Sequence, residues 1–237
     1  MLSAGASGSS DSELGILGSV VEVFLIDVLC RSVSFAVISL IYVEHEVNDT
    51  KMINNKSFIS LKSSLSNYLR SEKVNTLPHT VGRHLELVFS SKMASKCERF
   101  DIIGKSALKT KYKSYVADPA IHAQYPQHRS DLRVGAVLEN IVYNELVSRG
   151  YTVSVGKLRS SEVDFVVTEG RHIAFVQVTY MMGSEETERR EFAPLMAIRD
   201  NHPKYVISMD PVRMDRDGIR HLHLVDDFLL GDGFVLR

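Results

Sequence analysis

The sequence predicts a mixed α/β protein, and three observations predict it. An apolar stripe at helical spacing runs from Arg133 to Arg149, three strand-like runs follow it, and a second helix and strand come after those. A helical region precedes this unit. The 237 residues, 44% hydrophobic and 24% charged, suffice for one large domain or two modest ones. Cys30 and Cys97 lie too far apart for a CxxC motif and are too few for a disulfide framework, so a reducing, cytoplasmic setting is expected.

Taken in order, residues 1–13 are rich in serine and glycine and are expected to be disordered, and residues 14–55 read as a helical segment. Glu22, Asp27 and Arg31 interrupt its apolar run, and the clean stretch from Ser32 to Val43 falls short of the roughly 20 residues a membrane span needs. No membrane partner is expected. The start of the chain also lacks the basic region of a signal peptide.

The net charge of −1 conceals an internal asymmetry. Residues 1–55 carry 2 basic and 7 acidic groups, residues 56–115 carry 12 and 4, and residues 131–237 carry 13 and 17. Clustered positive charge of that kind attracts phosphate backbones by counterion release, although a solvated lysine-rich surface gives the same count. Phe58, Leu61, Leu65 and Leu69 recur at helical spacing, residues 72–77 read as a connection, and a second helix is expected from Pro78 to Phe89, with Gly82 as a weak point. This is the pattern of a helix-turn-helix, with His79, Thr80, Arg83 and His84 outward and Lys92 and Lys96 following as phosphate contacts. Two strands, residues 98–103 and 111–116, around a Gly-Lys turn complete a winged-helix-like domain over residues 56–118, and Lys109 and Lys111 add to its basic face. Gly104-Lys105-Ser106 imitates the end of a P-loop, but Arg99 occupies the position where that motif needs its first glycine, so no ATP site is expected.

In the acidic part, Val134, Val137, Leu138, Ile141, Val142 and Leu146 line one helix face, and Gly150 is placed as its C-terminal cap. Glu139 lies at the margin of that face and Glu145 nearer its centre, so either suits the inward acid, and the Gly135-x-x-x-Glu139 spacing favours Glu139. The strands are expected at residues 151–155, 162–167 and 173–180. Alternation puts Asp164 on a face with Glu162 and Val166, and Gln177 and Thr179 on a face with Ile173 and Phe175, while antiparallel pairing brings Asp164 beside Gln177. Ser184 nucleates a helix with Glu185, Glu186 and Glu188 in its first turn. Strands at residues 205–209 and 219–225, a turn at 215–218 and a short helix at 226–230 finish the chain. Helix, three strands, helix, strand over residues 131–231 is the αβββαβ core of the restriction-endonuclease-like, or PD-(D/E)xK, fold.

Glu139, Asp164 and Gln177 then fall in the order of a metal-dependent nuclease site, an oxygen-rich nest suited to Mg²⁺ or Mn²⁺. Thr179 stands where that chemistry uses a lysine. Lys157 and Lys204 are the lysines considered as relocated substitutes. His221 and His223 share a strand face without a third ligand at fitting spacing, His202 before Pro203 suits a turn, and Asp226 and Asp227 suit a helix cap.

Ordered motifs across residues 50–231 carry a family resemblance. They are the stretch from Arg99 to Asp118, Gly135 to Tyr151, Val155-Gly-Lys-Leu158, Glu162-Val-Asp-Phe165, Gln177-Val-Thr179, Glu191-Phe-Ala-Pro-Leu195 and Asp200 to Val206. Together they resemble the C-terminal half of prokaryotic AAA+-like predicted ATPases, in which an ATPase domain is joined to a winged helix and a nuclease-like domain of unknown function. The resemblance implies Glu139, Asp164 and Gln177 as inherited site positions and makes a small residue after Gln-Val ordinary. It does not extend to the ATPase domain, which this sequence does not contain. Three readings follow: a non-catalytic nucleic-acid-binding module, preferred because losing the lysine costs a nuclease orders of magnitude in rate; a Mg²⁺- or Mn²⁺-dependent DNA nuclease with a relocated lysine; and an interaction module that docks on a separate ATPase.

Overall fold

A computed structural model describes residues 66–67, 69–71, 73, 75–120 and 131–236, with the backbone alone described for residues 109–111 and 131–133. The expected disordered start, the helical segment of residues 14–55 and most of the first basic helix lie outside the described residues.

Helix α1 (Pro78–Ser90) opens with proline in its first turn, where a missing N–H costs nothing, and buries Val81, Gly82 and Leu85. Gly82 therefore sits on the packed face of the helix. Strands β1 (Ala94–Asp101) and β2 (Ser106–Val116) form an antiparallel hairpin. Its turn contains Gly104 and Lys105, the latter at a φ of 49°, and Asp101 Oδ1 accepts the N–H groups of Ile103 and Gly104 at 3.0 Å. The P-loop imitation is thus a hairpin turn.

After α2 (Asp131–Ser148) come β3 (Thr152–Lys157), β4 (Glu162–Glu169), β5 (His172–Val178), α3 (Glu185–Met196), β6 (Lys204–Ser208) and β7 (Ile219–His223). The expected order of helix, three strands, helix and strand is present. Gly150, at a φ of 85°, ends α2, and Ser184 Oγ accepts the Thr187 N–H at 3.2 Å to start α3. A single seven-stranded mixed sheet runs in the order β2-β1-β3-β4-β5-β6-β7. The chain ends beyond a π-helical turn, Leu224–Leu229, whose N-cap is His223: its Nδ1 accepts the Asp226 N–H, and Asp227 Oδ2 accepts the His223 N–H. The capping expected of Asp226 and Asp227 is therefore shared with the histidine before them.

The hairpin of residues 98–116 was expected as the wing of a separate domain ending at residue 118, but β1 pairs in parallel with β3 through Arg99↔Val155, Phe100↔Gly156 and Asp101↔Lys157. Hydrogen bonding therefore carries the hairpin into the same sheet as β3 to β7. Gly156 suits this junction, since a Cβ there would lie 2.8 Å from Ile102 Cδ1.

The two faces of the sheet hold two cores. On one, Leu138, Val142, Tyr143 and Leu146 of α2 pack against Tyr115, Phe165, Val176 and Ile207. On the other, Phe192, Leu195 and Ile198 pack against Val163, Val166, Phe175 and Val206. Side-chain amides fix α2 to the end of β2: Asn140 Oδ1 accepts the Val116 N–H at 2.9 Å, its Nδ2 donates to Val116 O at 2.8 Å, and Asn144 Nδ2 donates to Val116 O and Ala117 O at 3.1 Å. That attachment sets which residues of β2 face α2.

Candidate functional site

Strand β2 presents Lys113 and Tyr115 to α2, where both meet Glu139. Lys113 Nζ donates to Glu139 Oε1 at 3.0 Å, and the Tyr115 hydroxyl donates to the same oxygen. Asp164 Oδ1 lies 3.7 Å from the ammonium on its other side. The three titratable side chains are 11%, 10% and 15% exposed, so the cluster is almost out of water. Tyr115 stacks on Tyr143 with ring centroids 4.2 Å apart, closing the apolar side.

A β-bulge aims Asp164 here. Ser154 pairs with Val166 and Gly156 with Val163, so two residues of β4, Asp164 and Phe165, oppose Val155 alone. The alternation expected to put Asp164 on a face with Val166 is broken, since Val166 joins the α3-side core while Asp164 reaches Lys113. The neighbouring strand secures it: Val178 N–H donates to Asp164 Oδ2 at 2.9 Å, and Gln177 Oε1 accepts the Asp164 N–H at 3.4 Å. The expected meeting of Asp164 and Gln177 is thus made through the backbone as much as through side chains.

Gln177 faces the α3 side, where its Nε2 donates to Glu191 Oε2 at 3.2 Å; Arg190 donates from Nε and Nη2 to Glu191 Oε1. Thr179 is buried, with its N–H bonded to Ile207 O at 3.0 Å. Glu145 pairs with Arg149 at 2.8 Å, leaving Glu139 as the inward acid of α2.

Neither lysine considered as a substitute reaches the acids Glu139 and Asp164. Lys157 lies 3.9 Å from Glu162, which also holds Arg99, and Lys204 donates to Ile198 O at 2.6 Å and Asp200 O at 3.1 Å. Lys113 is the lysine of the site, and the sequence reading missed it by assigning its strand to a wing. A signal was there: one lysine inside Tyr112-Lys-Ser-Tyr-Val116, where residues 113–116 are all buried.

Charge explains the arrangement. Burial pulls the Lys113 pKa down, but Glu139, Asp164 and Glu162 outweigh it and hold the ammonium above its ordinary value. Burial and the charge of Glu139 hold the Asp164 carboxyl well above the usual carboxylate range, against the opposing pull of Lys113 and the Val178 N–H. One ammonium offsets one carboxylate, so the second acid keeps its proton more tightly.

This donor set does not fit a resident Mg²⁺ or Mn²⁺. Such ions need several oxygens at about 2.0–2.6 Å, whereas here an ammonium stands between the two acids and Gln177 turns its amide nitrogen to Glu191. Among the described residues, no three His, Cys, Asp or Glu side chains are grouped to hold a metal.

A second polar group lies across the sheet, beyond the pairing of β6 and β7. His221 Nδ1 accepts the Met214 N–H at 3.2 Å, which leaves the proton of the neutral ring on Nε2. Nε2 then donates to Ser208 Oγ at 2.8 Å, and Ser208 donates to Asp210 Oδ2 at 2.8 Å, which also accepts the Met182 N–H. With His221 donating to it, Ser208 is not an activated nucleophile. His223 is engaged by Asp226 at 2.9 Å, so the two histidines do not form a ligand pair.

Of the residues expected to contact nucleic acid, Arg83 and Lys92 are exposed and His84 is half-buried. The Lys96 ammonium lies over the Phe89 ring at 4.5 Å and the Tyr112 ring at 5.2 Å. Lys109 and Lys111 fall in an irregularity of β2, where Leu108 pairs with Arg99 and Tyr112 with Glu98, leaving residues 109–111 without partners on β1.

Fold and cluster together define a mixed α/β protein with a seven-stranded sheet and a buried lysine bridging two acids. Compared with known proteins, the chain is 35% identical over 167 residues to an uncharacterized protein of Haemophilus influenzae, a match covering 69% of this chain and 40% of that protein. The chain thus matches about two-fifths of that relative's length. No protein-family model and no solved structure matches. No helix among the described residues is long and apolar enough to cross a membrane.

Proposed function

We propose that this chain is a restriction-endonuclease-like protein that binds nucleic acid without cutting it. The observation that carries the non-catalytic half is the position of Lys113, whose ammonium occupies the space between Glu139 and Asp164. The binding half is supported by the charge of residues 56–115 and by the exposure of Arg83 and Lys92. The relation to AAA+-like predicted ATPases stays part of this proposal, and so does a separate ATPase as partner.

The test is DNA binding by fluorescence anisotropy across a salt series, alongside cleavage assays on linear, branched and single-stranded DNA with Mg²⁺ or Mn²⁺. Salt-sensitive binding without cleavage is expected. Absence of any salt-sensitive binding overturns the proposal and directs attention to protein docking. A second reading is favoured by the same lysine: a metal-dependent nuclease whose relocated lysine is Lys113. Mn²⁺-dependent cleavage lost in both Asp164→Asn and Lys113→Met would select it.

A further inference from the structure

The acids at the site lack the room a metal needs because the protein has put its own cation there. Lys113 Nζ is 3.0 Å from Glu139 Oε1 and 3.7 Å from Asp164 Oδ1, and the Tyr115 hydroxyl holds Glu139 Oε1 from another direction. An ammonium already bonded to these oxygens repels a divalent ion, so the two compete for the same pair of acids. The lysine has little freedom to leave. Its side chain is 11% exposed, and its strand is fixed three residues further on by Asn140 on the Val116 N–H and carbonyl.

We propose that Lys113 is a tethered counter-cation that keeps Glu139 and Asp164 closed to divalent metal ions. In the native protein the cation is part of the chain; without the ammonium, the same acids accept Mn²⁺ in its place. This inference concerns the acids alone, so it can fail while nucleic-acid binding stands, and the converse also holds.

The test uses Mn²⁺ alone as probe, without nucleic acid, read by electron paramagnetic resonance and by thermal unfolding of the full chain. Wild type is expected to show no saturable Mn²⁺ binding that depends on Asp164. Lys113→Met is expected to gain one such site, with a rise in Tm of about 5 °C at saturating Mn²⁺, and the gain should vanish in Lys113→Met/Asp164→Asn. If Lys113→Met does not fold, Lys113→Gln, which keeps a hydrogen-bond donor toward Glu139, takes its place. Saturable binding by wild type that is lost in Asp164→Asn overturns the proposal whatever the variants do. A folded Lys113 variant that gains no Mn²⁺ site overturns it as well.

Discussion

Two buried polar clusters lie on opposite faces of one sheet, and they solve burial in different ways. On the α2 face, Lys113, Glu139 and Asp164 balance formal charges against each other. On the α3 face, His221, Ser208 and Asp210 pass hydrogen bonds along a chain that ends on the backbone N–H of Met182. Both place residue types used in catalysis within contact distance. The lesson is that proximity alone does not make a site: the first cluster has its cation already, and the second has its serine accepting from the histidine that would need to activate it.

The comparison can be broken most forcefully at Lys113. Lys113→Met leaves a buried carboxylate without its partner and should cost about 3–5 kcal/mol in chemical denaturation. Adding Glu139→Gln to that variant should recover a large part of the loss, because the cost lies in the unpaired charge. A small, additive effect of the two changes would show that the pair is not coupled. On the other face, Ser208→Ala interrupts a chain of neutral and charged hydrogen bonds and should cost less, about 1–3 kcal/mol.

Acid and base sharpen the contrast further, because the two faces respond with opposite sign. Burial keeps the His221 ring below its usual pKa of 6.5, so the unfolded chain binds the extra proton, and this residue's contribution to stability is lost as pH falls through 6.5. Asp164 behaves in the reverse manner. Its carboxyl is raised above 3.8, so the native state holds the extra proton, and stability from this group declines as pH rises above 3.8. Each slope is at most about 1.4 kcal/mol per pH unit for one proton. Denaturation curves across pH should therefore flatten below pH 6.5 in His221→Gln and between pH 3.8 and about 8 in Asp164→Asn. The smallest effect on stability is expected at the surface: Arg83→Ala with Lys92→Ala should stay within about 0.5 kcal/mol of wild type, yet weaken DNA binding and lower its salt slope by about one for each phosphate contact removed.

Much of the fold was legible because its signals are local. The apolar stripe of α2 with Gly150 behind it, the Ser184 cap and the alternating strands each declare themselves within a few residues. That Glu139 and Asp164 meet was also legible, since α2 and β4 belong to one unit, whereas Gln177 turns its amide to Glu191 on the other face. What escaped was non-local or depended on a broken rule. Lys113 joins Glu139 because α2 is attached to β2 and because β1 pairs in parallel with β3, contacts that no short-range pattern encodes. The bulge opposite Val155 likewise cannot be seen in an alternation that assumes regular pairing, yet it decides where Asp164 points. Glu191 was read only as part of a family motif, and its hydrogen bond to Gln177 shows why the amide does not turn to the other acids.

The parallel pairing of β1 with β3 has a consequence for how such a chain can be inherited. The hairpin carries the cation, and the later elements carry the acids. A recombination event falling between residues 120 and 131 would strand a charge on each product, with neither half able to neutralise its own interior.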